Sequence, residues 1–429
     1  MRSPLAAIFL IVVVDVLAFT LIVPLLPFYA ERFGATPADV GLLVSAFALC
    51  QLVAGPFLGN LSDRVGRKPV LVVSQLGTLA GFLLLARAET LAMVFVARCL
   101  DGITAGNLTV AQAAIADVTP PERRARAYAV IGVSFGIGFL LGPAAAGVLA
   151  ARDVRLPIYC AAGLSALSIV LTLLLLPSPA DVPPRPEGSL RGEKPPHPPT
   201  ERRLGLLDWS VYARPLRDPK LAPRLVQYFL FGMSFALFTS GFALFAERRF
   251  VTAAGAPWGP REVGYALACS GLLGVILQGG LVARAVGRFG EGPLVVFGFV
   301  FQALGLGVLA WSHAPPHLGV VIALMGLGNA PLRPALTSLV TRAAGPDDQG
   351  LVLGLAQSLM SVAQVVAPIV AGALIGHAWL SSWALAAAGV SALGALLASR
   401  VTTERNVSPH TSDGAHARGP ASSQHETSS

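Results

Sequence analysis

Asp15 stands alone in a greasy run. The stretch Ile11 to Pro27, IVVVDVLAFTLIVPLLP, holds no other charge. A carboxylate at the centre of a bilayer costs about 2.5–3.5 kcal/mol even on the mild insertion scale, so it marks a task. Burial disfavours the ionised form and a nearby guanidinium favours it. A carboxylate that feels both can take up and release a proton. Contact with a cationic substrate group is a second possible task, and an interior tie to a neighbouring helix is a third. Arg98 and Asp101, in VARCLDGITAGN, lie three apart on one helical face. Together they are neutral and cheaper to insert than either alone, which suits a structural pair or a charge turned toward a cavity. A third group is GNLSDRVGRKPVL, Gly59 to Leu71, where Gly59 and Gly66 permit a tight reversal between spans. Arg64, Arg67 and Lys68 hold this loop in water, with Asp63 as an acid among them.

The elements that position these residues must be membrane helices. The chain has 429 residues, 54% hydrophobic and only 13% charged, with a mean hydropathy of +0.68. Soluble domains carry about 25% charged residues, and half that density cannot coat a water-facing surface of this size. Apolar runs of roughly 20 residues, each enough to cross a hydrocarbon core, recur about twelve times, from 5–28 to 377–399. The short alternating strands of a membrane barrel are missing from the pattern. The expected fold is therefore an all-α polytopic membrane protein of about twelve spans.

A Pro-rich charged segment, PSPADVPPRPEGSLRGEKPPHPPTERR, divides the spans and cannot bury a core. The expected organisation is a six-span half over 1–176, a linker over 177–220 ending in an interfacial amphipathic stretch, a second half over 221–400, and a disordered tail over 401–429. Lys and Arg gather on one side, at Arg64, Arg67, Lys68, Arg123, Arg124, Arg126, the linker, Arg284, Arg288 and Arg342. That bias places both termini in the cytoplasm and accounts for the net charge of +8 without nucleic acid. Cys50, Cys99, Cys160 and Cys269 lie in apolar segments without CxxC spacing, so neither metal nor disulfide is expected. No GxxxxGK[ST] run offers an ATP site, and no cofactor or enzymatic activity is expected.

The two halves echo each other at an offset of about 220–225 residues, the parallel repeat of a transporter with a central site. Glu31 matches Glu247, Gly41 matches Gly264, and Gly59, Gly66 and Arg67 fall on Gly280, Gly287 and Arg288.

The order G-x-x-x-D-R-x-G-R-K in the Gly59–Leu71 loop resembles the signature of the major facilitator superfamily. GVSFGIGFLLGPAAAGVL, with Gly138, Gly142, Pro143 and Gly147, is similar to that superfamily's antiporter motif, with Ala146 in place of one glycine. DVLAFTLIVPLLP, GRKPVL, GITAGN and FAERRF resemble its drug:proton antiporter branch, bacterial tetracycline exporters and animal tetracycline-transporter-like proteins among them. The resemblance implies that Asp63 faces the positive end of the eleventh span and that Arg67 pairs with Asp117. It also implies that Arg98 faces a cavity beside the first span and that Asp15 couples protons or meets a cationic substrate. Metal-tetracycline exporters carry further acids in the third and ninth spans, where this chain has Gly81 and Gln302, and a His in the eighth, where it has Gly274. A chelated cation wants carboxylates, so a more apolar or anionic substrate is expected. Gln51, Gln278, Gln302, Arg333 and Gln357 are the expected polar cavity liners, Arg333 favouring an organic anion where it faces the cavity. Gln357 and Gln364, seven apart on one face, line the cavity or bond neighbouring helices. The expected activity is export of small organic compounds by proton antiport, from a monomer in a bacterial inner membrane. A symporter or facilitator for an organic anion, or a non-transporting sensor, are the alternatives.

Overall fold

A computed structural model describes residues 4–119, 124–176, 214–344 and 348–407. The expected linker up to residue 213 and the tail beyond 407 lie outside the described residues. Helix α1 covers Pro4–Ile22 and a short α2 covers Leu26–Glu31. The expected unbroken span over 5–28 is divided because Pro24 has no N–H and its ring displaces the preceding turn. Pro27 then opens α2, where a missing N–H costs nothing. Helix α3 (Pro37–Val65) starts at a capping box, Thr36 N–H donating to Asp39 Oδ2 at 2.8 Å and Asp39 N–H to Thr36 Oγ1 at 3.2 Å.

Helix α4 (Arg67–Ala86) follows after one residue, Gly66, whose φ of 104° a side chain would resist. The reversal thus rests on Gly66 alone. Gly59 lies inside α3, still hydrogen-bonded as helix, and most of the expected Gly59–Leu71 loop is the end of α3 and the start of α4. The fourth span breaks into α5 (Leu91–Thr104) and α6 (Asn107–Val118). Ser74 of α4 braces that break: its Oγ donates to the Thr104 carbonyl and accepts from Gly106 N–H at 2.9 Å. Helices α7 (Arg124–Ala150) and α8 (Leu156–Leu175) complete the first six spans.

The last six spans are α9 (Ala222–Arg249), α10 (Pro260–Ile276) continued through a π-turn at Leu277–Leu281 into α11 (Val282–Phe289), α12 (Glu291–Trp311), α13 (His317–Ala343), α14 (Gln349–Gly376) and α15 (Leu380–Val407). Helix α15 continues past Arg400 into the start of the expected tail. Among the described residues eleven segments are long and apolar enough to cross a membrane; the α10–α11 segment, interrupted at Gly280 with φ 149°, is the twelfth. The joint equivalent to Gly66 is Gly290, φ 79°, between α11 and α12. The sequence match of Gly66 with Gly287 is therefore three residues off: the positive-φ, one-residue joint of the second half is Gly290.

Within each half, neighbouring spans repeat one packing scheme. Helix α1 lies on α7 and α8, and α4 on α5 and α8; α9 lies on α14 and α15, and α12 on α13 and α15. The halves meet along α3 with α14, α7 with α10, and α2 with α9. At the end away from the termini they touch backbone to backbone. A side chain at Gly41 would strike the Pro368 carbonyl, one at Gly372 the Pro37 carbonyl, and one at Gly264 the Pro143 carbonyl. Ser45 Oγ donates to the Val365 carbonyl at 2.6 Å, and Arg248 Nη2 meets Glu31 Oε1 at 2.5 Å across the same seam. Along α7 and α10 the contact runs on to Gly271 against the Phe139 carbonyl and Gly136 against Val275. Toward the terminus-bearing end of α3 and α10, Phe57 and Ile276 are 61% and 56% exposed, and among the described residues no side-chain hydrogen bond or ion pair joins the halves there. The closure is one-sided.

Candidate functional site

Asp15 lies half-buried on α1 and meets three other helices. Gln75 on α4 donates from Nε2 to Asp15 Oδ2 at 3.4 Å and to Ser168 Oγ, on α8, at 2.8 Å. Ser168 and Asn107 also hydrogen-bond the Asp15 carboxyl. Asn107 is the first residue of α6. The break in the fourth span thus sets the positive end of a half-helix beside a carboxylate, where free N–H groups and the helix dipole favour negative charge. None of these partners carries a formal charge. The α1 face next to this cluster is fixed by α7: Thr20 Oγ1 donates to the Gly138 carbonyl at 3.0 Å, and a side chain at Gly138 or Gly142 would run into Val16 or Thr20. Further along α7, Pro143 and Gly147 face the second half, against Gly264 and Arg261. One Gly-rich helix therefore holds the Asp15-bearing span on one side and the seam on the other.

Arg98 and Asp101 form a separate buried pair. Arg98 Nη1 donates to Asp101 Oδ2 at 2.6 Å, each residue is 4% exposed, and the guanidinium sits 4.1 Å over the Phe47 ring of α3. Asp101 also bonds Thr78. A Cβ at Gly81 would lie 3.1 Å from Asp101 Cβ, so the room for an acid on the third span is filled by an acid from the fourth. Arg98 is committed to Asp101 and not to Asp15, which revises the expectation that it faces a cavity beside the first span.

In the loop between α3 and α4, Arg67 Nε donates to Asp117 Oδ2 at 2.8 Å and Arg67 also pairs with Asp63. Among the described residues Asp63 is engaged by Arg67 and not by the eleventh span; the contacts described between the halves lie toward the opposite end. Lys68 donates to the carbonyls of Leu173 and Leu176, both at 2.8 Å, and so caps the end of α8; Arg64 is exposed.

The family model described as Major Facilitator Superfamily matches residues 8–278 and 225–425. The chain belongs to that superfamily. It is 29% identical over 375 residues to the class C tetracycline resistance protein of Escherichia coli, covering 87% of this chain and 89% of that protein. It is 25% identical over 359 residues to the quinolone resistance protein NorA of Staphylococcus aureus, covering 83% and 86%. Among solved structures, the human organic anion transporter MFSD10 (TETRAN) aligns with a TM-score of 0.67 at 23% identity, over 93% of this chain and all of that one. The nucleoside transporter NupG aligns with a TM-score of 0.73 at 13% identity, over 94% and 99%. These likenesses place a multi-pass transporter fold of two pseudo-symmetric six-helix halves on the chain.

The remaining expected cavity liners of this superfamily member scatter. Gln302 is fully buried among α9, α12 and α15, donating to Ser234 Oγ at 3.4 Å, so it lies inside the second half and not on a cavity wall. Gln51 is half-buried, while Gln278, Arg333, Gln357 and Gln364 are exposed. Gly274 has open space where a side chain would stand. An apolar groove of about 460 Å³ runs beside α3, lined by Leu49, Cys50, Val53, Phe57 and Ile103. Sequence reasoning missed Gln75, Ser168 and Asn107. Each is a single neutral polar residue in an apolar span, and the need to satisfy such a group away from water is the signal that points to them.

Proposed function

We propose that this superfamily member exports small amphipathic organic compounds in exchange for protons. The observation that carries the reading is Asp15: a membrane-embedded carboxylate held only by neutral donors. A fixed cation beside it would keep it ionised; neutral donors leave it free to bind a proton when its access changes. The likeness to tetracycline and quinolone resistance proteins supports export and a drug-like substrate. The halves 1–176 and 221–400 rock about the glycine seam, with 177–220 as their cytoplasmic linker and 401–429 as a cytoplasmic tail. Both termini are cytoplasmic in this reading, the membrane is a bacterial inner membrane, and the working unit is a monomer. Protons reach Asp15 when the end away from the termini opens. Substrate enters from the terminus-bearing end, where the helices already stand exposed. Asp101 is spent on Arg98, so metal-chelated tetracycline is a poor fit. The exposed Arg333, which has no ion pair among the described residues, favours an organic-anion facilitator as the second reading.

Energised everted vesicles separate the two readings. A panel of quinolones, tetracyclines and organic cations is added, and an exchanger discharges the ΔpH with its substrate whereas a facilitator does not. Asp15→Asn is expected to keep substrate counterflow in proteoliposomes and to lose proton-driven accumulation. Uphill export at the native level by Asp15→Asn removes the proposal.

A further inference from the structure

Gln75 is fully buried and its amide is used at one end only. Its Nε2 serves Ser168 and Asp15, while its Oε1 is buried without a hydrogen-bond partner. Asn107, also on Asp15, has a buried Oδ1 in the same condition. Buried polar atoms without partners are few in folded proteins and each calls for a reason. Here both belong to primary amides already at the carboxylate. An amide has donors at one end and an acceptor at the other, and a half-turn about its last bond exchanges them in place. An ionised carboxylate only accepts; once protonated it must donate an O–H.

We propose that Gln75 and Asn107 are positioning residues that serve both forms of Asp15: both turn N–H groups to the carboxylate, and the one beside the oxygen that takes the proton turns its carbonyl oxygen to the acid's single O–H while the other keeps its N–H on the remaining acceptor oxygen. The idea rests on Asp15 being the proton-binding group. One proton from hydronium bonds to an Asp15 oxygen and leaves water. The new O–H donates to the turned Gln75 Oε1, and Ser168, which had accepted from Gln75 Nε2 while donating to the carboxylate, turns its single hydroxyl hydrogen from Asp15 to Oε1. No covalent bond other than the new O–H changes. Charged groups on the surrounding spans are engaged elsewhere: Arg98 with Asp101, Arg67 with Asp63 and Asp117, and Lys68 with the α8 carbonyls. On α7, Gly138 and Gly142 meet α1 here, and Ile131 and Phe135 share the apolar cluster of Ile11, Val12 and Val16; none of these carries a charge.

The second half supplies an internal control. On the corresponding spans, Gln302 donates to Ser234, whose hydroxyl lies 2.6 Å from that of Ser391. Gln302 is as deeply buried as Gln75 and also has an unpartnered Oε1, but Ser234 stands where a carboxylate would be needed. Gln302→Met matches the loss of a buried glutamine as packing, so an effect confined to Gln75→Met comes from its bond to Asp15.

The test is infrared titration of the full chain in lipid nanodiscs, following the protonated-carboxyl stretch that disappears in Asp15→Asn; the proton is the only ligand. Gln75→Met removes a donor from the carboxylate and an acceptor from the acid. The first loss raises proton affinity and the second lowers it. Because a bond to a charged group is the stronger of the two, the net expectation is a rise of about three- to tenfold, with the band moved to higher frequency as the acid loses its acceptor. Gln302→Met is expected to change neither. Asn107→Ala, at a partly exposed position, carries the same expectation as Gln75→Met if that variant does not assemble. Equal effects of Gln75→Met and Gln302→Met, or an unmoved midpoint and band in the Asp15-partner variants, overturn the proposal. A titrating band with failed exchange would count against the export reading alone.

Discussion

Breaking the Arg98–Asp101 pair one side at a time tests whether it holds the fold or serves the cargo. Arg98→Met leaves the Asp101 carboxylate at 4% exposure with Thr78 as its remaining partner. Removing one member of a buried ion pair costs about 3–5 kcal/mol because the other charge stays in low dielectric. The lost stacking over Phe47, 4.1 Å away, adds about 0.5–2 kcal/mol. Replacing both charges, Arg98→Met with Asp101→Leu, removes the stranded charge together with the pair, and such exchanges are often neutral. At about 2 °C per kcal/mol for a large domain, the single variant should melt on the order of 7–14 °C below the native protein in detergent. The double variant should recover most of that loss. Thermal unfolding followed by size exclusion reads the stability, and counterflow in proteoliposomes reads the transport. A double variant no more stable than Arg98→Met would refute the pair as a structural tie. A stable double variant without counterflow would return Arg98 to the cargo path.

Gly41→Leu has no room against the Pro368 carbonyl, so spin labels on α3 and α14 should report separation at that end in a folded protein; an unchanged distance contradicts the seam. Arg248→Ala removes the ion pairs to Glu31 and Glu247, at 2.5 and 2.8 Å, and should raise the population open at that end several-fold, as expected for the loss of about 1 kcal/mol from part-exposed pairs. The same labels read it, and a native distance distribution argues against a latch. Arg67→Ala should barely change the melting temperature, since Asp63 and Asp117 are 63% and 53% exposed, yet should slow counterflow if the loop governs rocking; a large loss of stability with normal rates would invert that assignment.

Apolar runs made the spans legible, because length and the absence of charge leave a helix no other solvent. Proline and glycine told less than their positions suggested. Pro24 ends a helix inside a run that hydropathy reads as one span, and Gly66 alone makes the turn credited to two glycines. Asp15 was legible because a lone acid in an apolar run is costly, whereas its partners Gln75, Ser168 and Asn107 come from three other helices and are neutral. Gln302 was misplaced for a related reason. The position of a polar residue along a span does not say which way the helix is rotated, and here it faces Ser234. Pairing of Arg67 with Asp117 followed from the family signature; engagement of Asp63 depends on which end of the molecule is shut, a property of the conformational state and not of the motif.

Where Gly41, Gly264 and Gly372 cross their partners, main chain rests on main chain with no compressible layer between. Such a junction has no half-shut position: it is seated, or it is parted by at least the thickness of a side chain. The protein should therefore reorient as a two-position device, in abrupt steps, and single-molecule distance records ought to show dwells at two separations with little time spent between.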